Sequence, residues 1–192
     1  MWSPENASKV ASEYLSGLGR RWNHVRTVGE LADGLAAAGK ISADVAAAAW
    51  LHDLGYAEEL SMTGLHALDG AAFLAAEGAP VEVVSLVAHH TGAEYEAEER
   101  GLRSLLSTMP AAEPSELDAL TLLDLVTAPD GSLTEPETRI AEILSRYPDS
   151  SPVHRAVSRS RGELLASAER ARRQLGLPDE WPAGALKGVL EP

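Results

Sequence analysis

The residues of this chain best suited to chemistry are its six histidines, His24, His52, His66, His89, His90 and His154, and two aspartates, Asp53 and Asp124. Five of the six histidines fall within the first 90 residues. His52 and Asp53 are consecutive, on what reads as the last turn of a helix otherwise made of Ala, Trp and Leu. A charged carboxylate in such surroundings is costly unless it is paired or coordinated, and a metal ion would satisfy both side chains. Asp124 sits in Leu-Leu-Asp-Leu-Val. There it is either a buried acid that needs a cation or the polar edge of an amphipathic helix, and its helical phase leaves both open. Any single histidine on a helix is more often an ordinary core or surface residue than a ligand; it is the joint pattern that points to a metal.

Composition narrows the chemistry further. The chain of 192 residues has no Cys, which excludes disulfides, thiolate metal sites and a Cys nucleophile. Any metal or nucleophile must therefore come from His, Asp, Glu, Ser or water. The Ser-rich stretch 145–160 has no His-Asp partner near it in sequence that would make a Ser nucleophile. With 16 basic and 29 acidic side chains the formal net charge is −13. Such a field repels nucleic-acid backbone, so no nucleic-acid partner is expected, and any anionic substrate depends on a local cation. The charge is uneven: residues 1–154 carry 9 basic and 24 acidic groups, whereas 155–192 carry 7 and 5. No apolar run approaches a membrane span and the start lacks a secretory signal, so a cytoplasmic protein with no membrane partner is expected.

The elements that must position these residues read as helices. Residues 24–39 place Val25, Val28, Leu31, Ala32 and Leu35 on one face before Gly39. Ser42 caps an Ala-rich helix that runs to Leu54 and halts at Gly55. Further helices are predicted over 65–77 and 81–90, the second despite its valines, because Pro80 suits a first turn and the apolar residues do not alternate. Residues 116–127, with Ser115 and Asp118 as caps, and 134–146, with a Thr134/Glu137 capping box, follow. The acidic run 94–99 reads as a solvated loop or a helix start. A last helix spans 152–175, and residues 178–192 form a tail that wraps the body or frays. The expected architecture is an all-α bundle of about seven to nine helices, with one domain over 1–150 and a C-terminal helix and tail over 151–192.

His24, His52-Asp53 and Asp124, each on its own helix of an all-α chain, resemble the signature of the HD-domain superfamily of metal-dependent phosphohydrolases. The strings Arg21-Trp22-Asn23-His24-Val25 and Leu51-His52-Asp53-Leu54-Gly55-Tyr56 carry the likeness. Gly64-Leu65-His66-Ala67-Leu68-Asp69 and Val87-Ala88-His89-His90-Thr91-Gly92 extend it to members with two metals. The resemblance covers about residues 20–128. It implies one metal on His24, His52, Asp53 and Asp124, and a second on Asp53, His66 and His89. His90 is implied either as a ligand or as a neighbour of the ligands or substrate. One or two divalent ions among Fe, Mn, Co, Mg and Zn suit such N and O donors. The implied reaction is hydrolysis of a small phosphate ester, a nucleotide among the candidates, with Asp53 the catalytic residue that orients the attacking water.

Many members place Lys three residues after the HD aspartate, where this chain has Tyr56. Phosphate recognition then falls to Arg20, Arg21, Arg26, Arg100 or Arg103, with Arg20 and Arg21 best placed and Tyr56 beside them. The missing Lys also keeps open a mixed-valent di-iron oxygenase of the same superfamily, alongside a non-catalytic sensor stabilised by metal. His66 follows Asp53 by 13 positions and no Gly-Tyr-Pro follows His90, which disfavours the cyclic dinucleotide enzymes. The arginine-rich last helix offers a surface for a homodimer.

Overall fold

The structure, a computed structural model, describes residues 2–178 and 181–182. Most of the predicted tail lies outside the described residues. Among those described the chain is helical, with a single β-bridge between Thr127 and Leu133 and no strand.

In chain order the helices are α1 (Pro4–Leu15), α2 (Arg20–Ala37), α3 (Ala43–Leu51), α4 (His66–Ala76), α5 (Val81–His89), α6 (Ala93–Glu99), α7 (Arg103–Leu106), α8 (Pro114–Leu125), α9 (Pro136–Arg146) and α10 (Pro152–Gln174). At the centre lies α3. Residues 45–51 are buried without exception, so this helix is apolar all round, as a helix enclosed by others must be. It packs against α1, α2, α5 and α8. Its alanines allow close approach, and Gly29 of α2 does the same for Trp50: a Cβ on Gly29 would stand 2.2 Å from the indole. Trp50 Nε1 donates to Asp33 at 3.1 Å, which locks the two helices in register.

Several helix starts differ from the sequence expectation. The cap of α8 is Glu113, whose carboxylate accepts from the Ser115 and Glu116 amides, in place of Ser115 and Asp118. Asp118 is instead buried against Ser167 and Arg170 of α10. α9 begins at Pro136 with no side-chain cap, so the Thr134/Glu137 box does not form; the Thr134 amide is committed to the Val126 carbonyl in the turn after α8. The acidic run is helical, forming α6. α1 was not anticipated; Ser3 caps it and it buries only Ala7, Ala11 and Leu15, too thin a stripe to read.

α10 closes the molecule over α8, α6 and α9. Its apolar residues Ala156, Leu164, Ala168 and Ala171 are buried within the chain. Several of its arginines are paired there too: Arg155 and Arg159 with Glu99, Arg159 also with Glu98, Arg170 with Asp118. Part of the basic surface that the sequence offers for a homodimer is thus engaged by carboxylates of the same chain. No helix among the described residues is long and apolar enough to cross a membrane.

Candidate metal centre

The side chains that converge at the C-terminal end of α3 come from five parts of the chain. His24 projects from α2. His52 caps α3 at its C-terminus and Asp53 follows it, where the helix breaks into a 3-10 turn over Leu54–Tyr56. His66 opens α4, His90 follows α5, and Asp124 lies in the last turn of α8. The break after α3 is possible because residue 55 is glycine. A Cβ there would lie 2.1 Å from the His66 carbonyl oxygen, so Gly55 lets α4 seat directly against the His-Asp segment.

The donor atoms form two groups that share Asp53. His24, His52 and Asp53 make one, and Asp53, His66 and His90 the other, each with its ligand atoms within 4.8 Å of one another. His24 Nε2 stands 3.2 Å from His52 Nε2 and 3.1 Å from Asp124 Oδ1. His52 Nε2 lies 3.4 Å from Asp53 Oδ2. On the other side of the carboxylate, His66 Nε2 is 3.5 Å from Asp53 Oδ1 and 3.2 Å from His90 Nε2.

The protonation pattern fits a cation. His52 Nδ1 is 2.8 Å from the Ala49 carbonyl and His90 Nδ1 is 2.7 Å from that of Val87. A carbonyl only accepts, so each Nδ1 carries the hydrogen, and Nε2 of the neutral ring is a lone pair aimed at its neighbours. His24 Nδ1 has the same kind of partner in Ala128. Imidazoles oriented by backbone carbonyls, with Nε2 converging on carboxylate oxygens, are the arrangement that surrounds a metal ion. Burial opposes ionisation of Asp53, yet Arg21 and His52 outweigh it and hold the carboxyl well below the usual range. Asp124 is likewise depressed against its burial, by His24 first and by His52 and Arg139. For His52, burial lowers the pKa but Asp53 raises it more. Desolvation pushes His66 down to about 3, with Asp53 opposing, and lowers His90, aided by His52.

His89 is not in this cluster. Its Nε2 faces the Pro110 carbonyl at 3.1 Å, away from Asp53. One helical residue turns a side chain by about 100°, so only one of two consecutive histidines can face the centre, and it is His90. Arg20 is exposed and outside the cleft, so of the two adjacent arginines only Arg21 reaches in. Arg21 Nη1 donates to Asp53 Oδ2 at 2.5 Å, and its guanidinium lies 3.9 Å over the Tyr56 ring. Tyr56 in turn stacks on His66 at 4.2 Å. Arg26, Arg100 and Arg103 pair with Glu30, Glu96 and Glu98. His154 is outside the cluster, near Asp149.

Two residues at the centre went unread in the sequence. Thr91 has φ 44° and ψ 45°, a conformation β-branched residues rarely adopt. This strain is held where Thr91 Oγ1 donates to Asp124 Oδ2 at 2.5 Å. Nothing in the sequence signals it beyond the following Gly92, itself left-handed at φ 74°. The other is Arg139 of α9, 5% exposed. Its position one turn before Ile143, on the apolar stripe, was the available sign. A cleft lies over the cluster, lined by Arg21, Tyr56, Thr91, Arg139, Tyr147 and Val157 among others.

An all-α bundle that converges histidines and aspartates on a shared carboxylate defines a protein built around a His/Asp centre of metal-ligand type. Comparison with known families then places it: the chain belongs to the HD domain family, whose model matches residues 21–147. It is also similar to a tRNA (cytidine(56)-2'-O)-methyltransferase of Thermoplasma volcanium, 44% identical over 92 residues, which cover 46% of this chain and 24% of that protein. The chain thus spans about a quarter of that relative's length. No solved structure matches.

Proposed function

We propose that this chain is a metal-dependent phosphohydrolase that cleaves a small phosphate ester, with nucleotides the first class to test. The observation that carries the reading is the pair of donor groups joined at Asp53. In this reading His24, His52, Asp53 and Asp124 hold one divalent cation, and Asp53, His66 and His90 hold a second. Such ions supply Lewis acidity toward a phosphoryl oxygen and lower the pKa of water toward neutrality. The protein supplies the rest. Asp53, buried and ionised, accepts a hydrogen bond from the attacking water and orients it. Arg21 fixes that carboxylate and Thr91 fixes Asp124. The His52 and His90 rings are held in one tautomer, and Tyr56 limits solvent access to His66.

A screen of phosphomonoesters, nucleotides and dinucleotides with Mn, Fe, Co or Mg tests the reading. Turnover that depends on added metal is expected; no turnover by protein shown to hold metal would refute it. An EPR signal of mixed-valent iron in such inactive protein would move the assignment to the oxygenase class.

The name of the methyltransferase relative favours a second reading, in which the chain acts with tRNA. Against it stand the net charge of −13 and the state of the basic helix α10, whose arginines at 155, 159, 170, 172 and 173 all have carboxylate partners in the chain. Of the arginines on this helix only Arg161 lacks a carboxylate partner among the described residues, and a single cation does not make a stripe that tracks a phosphate backbone. Titration of labelled tRNA with the protein at low salt is expected to show no binding below about 10 μM, tighter than weak non-specific association.

A further inference from the structure

Arg139 is a buried cation with an unused donor. It is 5% exposed, and its Nε is the buried side-chain polar atom that has no hydrogen-bond partner among the described residues. Its Nη1 donates to Glu142, a short contact. Glu142 also lies 3.4 Å from Arg146 Nε, so one carboxylate serves two guanidinium groups and leaves this wall with a net positive charge. Both arginines line the cleft that holds Asp53, His66, His90 and Asp124. Glu96, on the same cleft, is neutralised by Arg100 at 2.6 Å. Arg21, on the same cleft, is already engaged by Asp53.

A buried guanidinium with an orphan N–H is costly unless something in the cleft completes it. The planar fork of Arg matches the oxygens of a phosphoryl group, and desolvation strengthens the bond. Arg139 and Asp124 line the same cleft, which puts the guanidinium beside the centre.

We propose that Arg139 is a substrate-binding residue that holds a phosphoryl oxygen of the ligand. The proposal rests on the phosphohydrolase reading of the site and deepens it. The group comes from α9, and the apolar neighbours Ile143, Val153 and Val157 on the same wall suit the organic part of an ester.

Calorimetric titration of inorganic phosphate into Mn²⁺-loaded protein tests it without turnover. Wild type is expected to bind phosphate. Arg139→Gln is expected to weaken that binding about ten- to hundredfold, the loss of one charge-assisted contact, at unchanged metal content. Arg139→Lys, which keeps charge without the fork, should recover part of the affinity. Phosphate binding equal to wild type in either folded variant would overturn the proposal, as would the absence of phosphate binding by wild type. Loss of metal or of folding in both variants would assign Arg139 to structure and overturn it as well. The two readings fail separately: a protein that binds phosphate through Arg139 yet hydrolyses nothing loses the hydrolase reading alone. One that turns over esters with KM unchanged by Arg139→Gln loses this inference alone.

Discussion

At the residue scale the centre turns on Asp53, whose two oxygens face different sets of imidazoles. Replacing it with Asn keeps the shape but removes the charge that a cation and Arg21 share. Asp53→Asn is expected to lower metal-dependent turnover by more than about 100-fold, beyond the range of supporting groups around a metal, and metal analysis should show the loss directly. The two adjacent histidines separate just as sharply. His90→Ala should reduce metal content, whereas His89→Ala should leave metal content and turnover within about twofold of wild type, because its ring faces Pro110. Retained metal in His90→Ala would show the opposite choice of ring. The pH response follows from His52, whose pKa is raised in the metal-free protein once the pull of Asp53 overcomes burial. A bound metal must displace that proton, so affinity should rise by about tenfold per pH unit and go on rising past the ordinary imidazole value near 6.5. Metal titration between pH 6 and 8.5 measures this, and a plateau already reached at pH 6.5 would contradict it.

At the element scale, the ends of helices do most of the positioning. His52 and Asp53 lie where α3 breaks, and Gly55 makes the break tolerable by admitting the His66 carbonyl against its own backbone. Gly55→Ala must push α4 away, because the added carbon would meet backbone at 2.1 Å and 2.7 Å, which cannot rotate aside. A destabilisation of about 2–3 kcal/mol is expected, together with reduced occupancy of the His66/His90 site. Thermal denaturation with and without metal checks both; an unchanged melting temperature would mean that α4 is looser than its packing suggests. The apolar periodicity in the sequence was enough to place α2, α3, α4, α5 and α10 to within a few residues, because each has a wide buried face. Caps were less legible. Glu113 outcompetes Ser115 at α8, and the Thr134 amide is drawn into the turn after α8, choices made by neighbours distant in sequence. α6 was obscured by charge, since four of its seven residues are Glu; contact with α10 takes up Glu98 and Glu99, and Arg100 takes up Glu96.

At the scale of the whole molecule, the same side chains that would bind metal are a burden without it. Four imidazoles and two ionised carboxylates are packed at one point, so a bound cation should add to folding stability. Removal of metal by a chelator is expected to lower the melting temperature by about 5–10 °C, the effect of some 2.7 kcal/mol at a hundredfold excess over the dissociation constant. Differential scanning calorimetry before and after chelation tests this, and Asp53→Asn should abolish the difference. The sequence by itself determined the all-α class, from helical periodicity and the lack of alternation, and it determined the donor set, since a chain without Cys has only His and Asp to offer in this pattern. Tertiary structure alone decided which of His89 and His90 turns inward, which arginine reaches the carboxylate, and that Arg139 enters the cleft from α9. Those outcomes depend on the rotation of each helix about its own axis and on the loops between them. Local sequence constrains neither, whereas the packing of α3 against four neighbours fixes both.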